Sequence, residues 1–284
     1  MRPDRLPLAA RALVWAVALL AILVMGLPMA NVLAVSLSSP GSSESPGLVL
    51  FPAEPSLEGY AFVWGTIDLW RPFLNTLYVS AAGTVLHAIL AALGGYVLAQ
   101  PELPGRKALT SFVLLTMTIP AELTLVSIYA VNKQFHLVNR YAGLILNGAA
   151  SGFSILLMRG YFSAIPRSLS EAARIDGCPE PGIFWRIFLR LAKPGLATVA
   201  TLELIRRWNN IAMTVTLVSD MAKTTLPVVL RWLLFEMSTA SGAAYVYANA
   251  KMAAVVISAL PLVALYAFAQ RFFVAGALAG SVKG

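Results

Sequence analysis

Six long apolar runs set what this chain can fold into. They cover Leu13–Leu37, Pro72–Ala99, Ala108–Ala130, Tyr141–Met158, Pro194–Val218 and Met252–Val274. A hydrocarbon core about 30 Å thick is crossed by a helix rising about 1.5 Å per residue, so each run is long enough, the fourth being the tightest fit. Lipid offers no partner to a backbone N–H, and a helix satisfies its own. The expectation is an all-α integral membrane protein, one transmembrane domain over residues 1–284 with six transmembrane helices. Composition agrees: 12% of residues are charged, against about 25% in an ordinary soluble domain. The first run contains Val32-Leu33-Ala34, which looks like a cleavage site. The run exceeds the roughly 7–15 residue core of a signal peptide, so it is read as a retained helix.

The net charge of +8 suggests nucleic acid only until its distribution is read. With both termini cytoplasmic, the inner segments hold Arg2, Arg5, Arg11, Arg106, Lys107, Arg159, Arg167, Arg174, Arg186, Arg190, Lys193, Arg271 and Lys283. The outer segments hold Arg71, Lys133, Arg140, Lys223, Arg231 and Lys251. The long outer loop from Ser38 to Trp70 has Glu44, Glu54, Glu58 and Asp68 and no base. This is the positive-inside pattern, so the charge reports topology in a lipid bilayer and not a nucleic-acid partner. A second outer loop, Ser219–Lys251, carries an apolar piece at Leu226–Met237 that suits a short interfacial helix. Cys178 is the only cysteine, which excludes an internal disulfide. His87 on an apolar run and His136 in a loop give no metal spacing and read as structural. No catalytic constellation and no G-x-x-x-x-G-K-[ST] phosphate loop is present, so neither catalysis nor nucleotide binding by that route is expected of this chain.

The inner loop Arg159–Lys193 has a different texture. Ser168 and Glu171 fit a capping box, Ala172 and Ala173 favour helix, and Gly177 can take the left-handed conformation that ends one. The spacing predicts a two-turn helix at Leu169–Asp176. Pro179 and Pro181 then force a turn. A second amphipathic helix follows, with Ile183, Phe184, Ile187 and Leu191 on one side and Arg186 and Arg190 on another, suited to the membrane interface. A two-turn helix is not stable alone in water. It is either held within its own domain or is a docking element, a knob of Ala172, Ala173 and Ile175 ringed by Glu171, Arg174 and Asp176.

The stretch EAARIDG with FWRIFLRLAKPGLAT resembles the EAA loop of ATP-binding-cassette (ABC) importer permeases of the carbohydrate-uptake, maltose permease (MalG-like) type. FLNTLYVS, LPGRKAL, TMTIPAE, MRGYFSAIPRSLSEAARIDG, the Trp208-Asn209 pair, TLPV and GALAGSVKG resemble that family's landmarks in its order, across nearly the whole chain. The resemblance implies a type I ABC importer permease fold in a bacterial cytoplasmic (inner) membrane. It implies half of a translocation pathway for a sugar or sugar-derived solute, delivered by an extracytoplasmic binding protein. Implied partners are a second permease subunit in a heterodimer and two cytoplasmic ATPase subunits, which hold ATP and Mg. The loop helix would be the coupling helix, with Glu171, Ala172, Ala173, Arg174, Asp176 and Gly177 seated in the ATPase. The C-terminal tail would reach toward the ATPase pair.

The chain departs from the family at Leu189-Arg190, where Leu-Pro is common, and at Pro179 and Pro181. The larger departure is TLELIRRWNN. Glu203, Arg206 and Arg207 fall near the middle of the fifth run, where one charge facing lipid costs about 2.5–3.5 kcal/mol. Glu203 can pair with either arginine at i,i+3 or i,i+4. Three readings stand: an ion pair buried against a partner subunit, a pathway surface that meets an anionic solute, or a helix boundary displaced from the one expected. Glu122 is a further candidate partner for these charges. With Trp208 and Asn209, the three residues make up the candidate pathway. A self-sufficient secondary transporter or channel, using these charges for ion coupling, is the alternative function.

Overall fold

The computed structural model describes residues 7–235 and 245–281, the last stretch from 268 as backbone only. The basic residues Arg2, Arg5, Arg271 and Lys283, the tail Ser281–Gly284 as a docking segment, and Met237 fall outside the described side chains. Among the described residues the regular elements are helical, and one isolated bridge joins Ser38 to Pro55.

Three helices are continuous and apolar enough to cross a bilayer: Ala9–Ser36, Trp70–Ala99 and Ala248–Ala267. They lie within α1 (Leu8–Ser36), α4 (Trp70–Ala99) and α15 (Ala248–Ser281). The other three expected spans are each broken. The third divides into α5 (Arg106–Thr116) and α6 (Leu125–Gln134), with a tight turn at Ala121–Thr124. Pro120 precedes that turn in extended backbone, and proline pushes the residue before it out of helical conformation. Thr116 and Thr118 donate their hydroxyls to the carbonyls of Val113 and Leu115, which occupies part of the free helix end. The fourth divides into α7 (Tyr141–Leu146) and α8 (Gly152–Ser163). Asn147 is extended, Gly148 has φ +74°, and the Ser151 hydroxyl accepts from the Ser154 amide to start α8. The fifth divides into α12 (Lys193–Trp208) and α13 (Ile211–Leu217), the latter capped by Asn210 accepting from Met213 N–H at 3.0 Å.

The chain forms two compact units, one from residues 1–69 with 230–260 and the other from residues 70–229 with 261–284. In the first, the segment that follows α1 is ordered by specific bonds. Two short helices, α2 (Pro40–Ser43) and α3 (Glu58–Thr66), lie along it. The Asn249 amide donates to Ser38 O at 3.1 Å, and Ser36 shares a 2.9 Å hydrogen bond with Tyr60. The expected short helix in the 219–251 segment is present as α14 (Leu226–Phe235).

The second unit is built on α4, against which α8 and α12 pack. Small residues on α4 make this possible. A Cβ on Gly95 would stand 2.6 Å from Met158 Cβ and 2.8 Å from Arg159 N, so the two backbones meet only because the glycine has none. The core contains Ala91, Ala92, Met158, Phe162, Ile183, Phe184, Phe188 and Val199. Tyr96 sits among Phe162, Phe184 and Phe188 with ring centroids 5.9, 5.1 and 5.1 Å away.

The second loop helix differs from its expected form. It comprises α10 (Glu180–Ile183), a π-turn at Phe184–Phe188 and α11 (Leu189–Leu191). The wider turn shifts the register, so Ile183, Phe184 and Phe188 are buried while Leu191 is exposed. Its apolar side therefore joins the protein core.

Candidate functional site

The loop helix α9 runs Ser168–Ile175. The expected capping box is not formed. Arg167 holds the N-terminal position with helical dihedrals and no side chain caps the helix. The turn after Pro166 already runs into the helix: the amides of Ser170 and Glu171 reach Arg167 O at 2.9 and 3.0 Å. Ser168 is thus carried inside the helix and has no free amide to cap. The C-terminal end is as expected. Gly177 has φ +77°, the Cys178 amide donates to Ala173 O at 2.9 Å, and the Gly177 amide donates to Arg174 O at 3.0 Å. This is the Schellman arrangement, and glycine is the residue that reaches it without strain.

The faces of α9 differ. Ser170 is buried and Ala173 packs on the core with Cys178. Leu169 and Ala172 are exposed, and Ile175 is 86% exposed. Leu169, Ala172 and Ile175 are spaced i, i+3, i+6 and share one face, with Glu171 and Asp176 exposed beside it. Ala173 therefore belongs to the support of the knob, and Leu169 to its surface. A link invisible in the sequence fixes the helix to the membrane part. Arg174 Nε donates to Glu180 Oε1 at 2.6 Å, and Tyr96 OH donates to Glu180 Oε2 at 3.0 Å. The Arg174 guanidinium holds the Glu180 carboxyl below its usual pKa.

The second cluster is on α12. Glu203 and Arg207 are buried, each side chain 4% exposed. Arg206 donates to both Glu203 oxygens, Nε to Oε2 at 2.7 Å and Nη2 to Oε1 at 2.6 Å. Arg207 Nε donates to Glu203 Oε1 at 2.6 Å. Its other nitrogens donate to Leu144 O at 3.0 Å and Asn147 O at 3.3 Å. Those carbonyls belong to the broken end of α7, which has no helical partner for them. His87 completes the set: Nδ1 lies 2.8 Å from Gly148 O and Nε2 lies 2.8 Å from Ser154 Oγ. A carbonyl only accepts, so Nδ1 carries a proton. His87 is structural, as expected, and holds the same break. A side chain on Gly83 would collide with the Arg207 guanidinium, so this glycine gives the arginine its path past α4.

The position of these charges is corrected in one respect. They do not lie in the middle of a continuous helix. The chain breaks after Trp208, which puts Arg206 and Arg207 in the last turn of α12, where cations complement the helix dipole. Trp208 is buried with its ring edge-on to Phe73 at 6.0 Å, and Asn209 is exposed with its amide donating to Ile205 O at 3.0 Å. Glu122 makes no ion pair with α12 among the described residues.

Three helices are long and apolar enough to cross a membrane, and the loop helix α9 presents an apolar face. The match to a family model settles what kind of chain this is. The chain belongs to the binding-protein-dependent transport system inner membrane components, whose model matches residues 88–277. It is a permease subunit of an ABC importer, and ATP hydrolysis belongs to separate ATPase subunits. The reading as a self-sufficient carrier is thereby set aside.

The polygalacturonan/rhamnogalacturonan transport system permease protein YtcP of Bacillus subtilis (strain 168) is 31% identical over 96% of this chain and 97% of its own length. The melibiose/raffinose/stachyose import permease protein MelC of the same organism is 31% identical over 91% of each. Among solved structures, a chain of a bacterial ABC transporter involved in the import of the acidic polysaccharide alginate superposes with a TM-score of 0.82, at 27% identity, covering 96% of this chain and 98% of that one.

Proposed function

We propose that this subunit forms half of a translocation pathway for a sugar or sugar-derived solute. A second, different permease subunit supplies the other half, and two cytoplasmic ATPase subunits bind ATP and Mg. An extracytoplasmic binding protein delivers the solute. The whole chain acts as one transmembrane domain of six spans, three of them interrupted, with both termini cytoplasmic. The relatives' own cargoes support a saccharide, and they range from neutral oligosaccharides to acidic polysaccharides.

The observation that carries the reading is α9. It is a short helix with a closed C-terminal end, a supported inner face and a bare apolar outer face. Such a face stays exposed in a water-facing loop because a partner covers it. Glu171, Ala172 and Asp176 would line the contact, while Arg174 and Gly177 set its shape. Arg206 and Asn209 would border the pathway, with Glu203, Arg207 and Trp208 packing behind them. The broken spans fit this role, because non-helical backbone at membrane depth is tolerated where it is buried in protein or lines a watery cavity.

The test uses Glu171→Lys and Gly177→Asp in the assembled transporter. Both should reach the membrane, lose most solute uptake, and lose solute-stimulated ATP hydrolysis. Normal uptake with normal stimulated hydrolysis in both variants would refute the coupling role.

A further inference from the structure

Glu203 and the two arginines leave one positive charge uncancelled, and the geometry puts it on Arg206. Arg207 is enclosed, with its guanidinium shared between Glu203 and the carbonyls of Leu144 and Asn147. His87 Nδ1 carries its proton toward Gly148 O at 2.8 Å and lies 3.5 Å from Glu203 Oε1, and a neutral imidazole leaves the charge of the set unchanged. Both Glu203 oxygens are taken by guanidinium N–H groups. Arg206, in contrast, is 48% exposed. It uses one N–H of Nε and one of Nη2 on Glu203, which leaves the Nη1 edge of the fork outside the pair. Arg206 shares an exposed face of α12 with Leu202 and Asn209, spaced i, i+4, i+7, and its guanidinium also lies over Gly148, where an added Cβ would stand 2.5 Å from Nη2 and 3.5 Å from Nη1.

The cleft on the inner side of Arg206, among Ser80, Asn147, Asn210 and Thr214, has a volume of only about 20 Å³. That admits roughly one water. A larger ligand meets Arg206 on its exposed side. On the proposed pathway face, the half-exposed guanidinium of Arg206 favours an anionic group over a neutral one. A guanidinium edge matches the planar carboxylate group. A single positive charge is balanced by one carboxylate, whereas a phosphate brings about −1.5 to −2.

We infer that Arg206 is a carboxylate-recognition residue of the pathway, and that the solute passing it is an acidic, uronate-type oligosaccharide. This rests on the reading of the chain as a saccharide permease subunit. Glu203 and Arg207 are positioning residues in this scheme. Glu203 orients the Arg206 fork, and Arg207 anchors Glu203 to the end of α7.

The test uses the complete transporter in proteoliposomes, with wild type, Arg206→Lys and Arg206→Gln. The probes are trigalacturonate and trimannuronate, each beside its uncharged methyl ester. Direct binding to the permease complex is measured without the binding protein, so that protein's own selectivity does not enter. ATP-driven uptake and recovery of the second permease subunit are measured in parallel. Wild type should bind at least one acid roughly tenfold or more tightly than its ester. Arg206→Gln should remove that preference by weakening the acid alone. Arg206→Lys should fall between, because it keeps the charge and loses the fork. Complex recovery should not change. A preference that survives in Arg206→Gln, or a wild type without preference, overturns the inference and leaves the saccharide reading intact. Loss of the second permease subunit from Arg206→Gln also overturns it, since Arg206 would then face a partner carboxylate. A wild-type transporter that takes up no saccharide, acidic or neutral, overturns both.

Discussion

Replacing Ile175 by alanine should weaken the hold of the ATPase subunit on this chain about 30-fold. Ile175 is 86% exposed in the free chain, so nearly all of its side chain remains to be buried by a partner. Alanine removes three carbons. Each buried methylene is worth about 0.8 kcal/mol. Three give about 2.4 kcal/mol, and scaling by the exposed fraction leaves about 2 kcal/mol. At about 1.4 kcal/mol per tenfold, this is a loss of about 30-fold in affinity. The fold itself should not respond, because an exposed surface change usually stays within about 0.5 kcal/mol. The measurement is a titration of purified ATPase subunits onto the permease complex in lipid nanodiscs, with thermal unfolding followed beside it. Leu202→Ala serves as the control, being an exposed apolar residue on α12 and not on α9. A Kd for Ile175→Ala within about threefold of wild type would refute the claim that this face is the contact. An equal loss for Leu202→Ala would show that the effect is not local to α9.

Two further outcomes follow from the ion pairs. Glu203→Gln leaves two guanidiniums, one of them buried, without their carboxylate, and breaking such a pair costs about 3–5 kcal/mol; the recovered complex should fall sharply in detergent, and unchanged recovery and thermal stability would show that the carboxylate is dispensable. Glu180 has its pKa lowered by Arg174, so its contribution is present above its unfolded pKa and is lost as pH falls through the lower folded value. Both partners are about half exposed, so the effect is at most about 1 kcal/mol. The protection of α9 amides, corrected for the intrinsic exchange rate at each pH, should therefore fall modestly on acidification below the ordinary carboxylate range, and Glu180→Gln should abolish that pH dependence; the same loss of protection in Glu180→Gln would locate it elsewhere.

The membrane class, the loop helix and the pairing of Glu203 with the arginines were all legible in the sequence, because each rests on short-range pattern. Apolar run length, the Gly177 stop and i,i+3 or i,i+4 spacing are properties of neighbouring residues. What the sequence hid is long-range. Hydropathy does not distinguish a continuous span from one broken at Asn147–Ser151 or Asn209–Asn210, since the polar residues at those breaks are too few to interrupt the run. In hindsight NGAASG and the WNN triplet were the signals, being rich in turn formers. Ser168 matched a capping motif, but Pro166 and Arg167 had already begun the turn. The π-turn at Phe184–Phe188 was not legible either, because it follows from fitting Phe184 and Phe188 around Tyr96, a residue far away in the chain. The Glu180 link between α9 and α4 has the same origin.

The broken spans and the buried charges explain each other. A helix that stops at Leu146 within the protein leaves carbonyls with no helical N–H to receive. A guanidinium buried in the protein, as that of Arg207 is, has donors with no water to meet. Arg207 joins the two, and Glu203 cancels the charge that this arrangement brings indoors. Neither feature is tolerable alone, so a substitution at either should behave as damage to one device. The exposed charge is Arg206. It grips both oxygens of Glu203 and lies over Gly148 in the break, where an added Cβ would stand 2.5 Å from Nη2, yet where the side chain of Arg207 is 4% exposed, that of Arg206 stays 48% exposed. It turns outward at the end of α12, beside Asn209, and becomes the one guanidinium of the cluster whose edge is open to a passing solute.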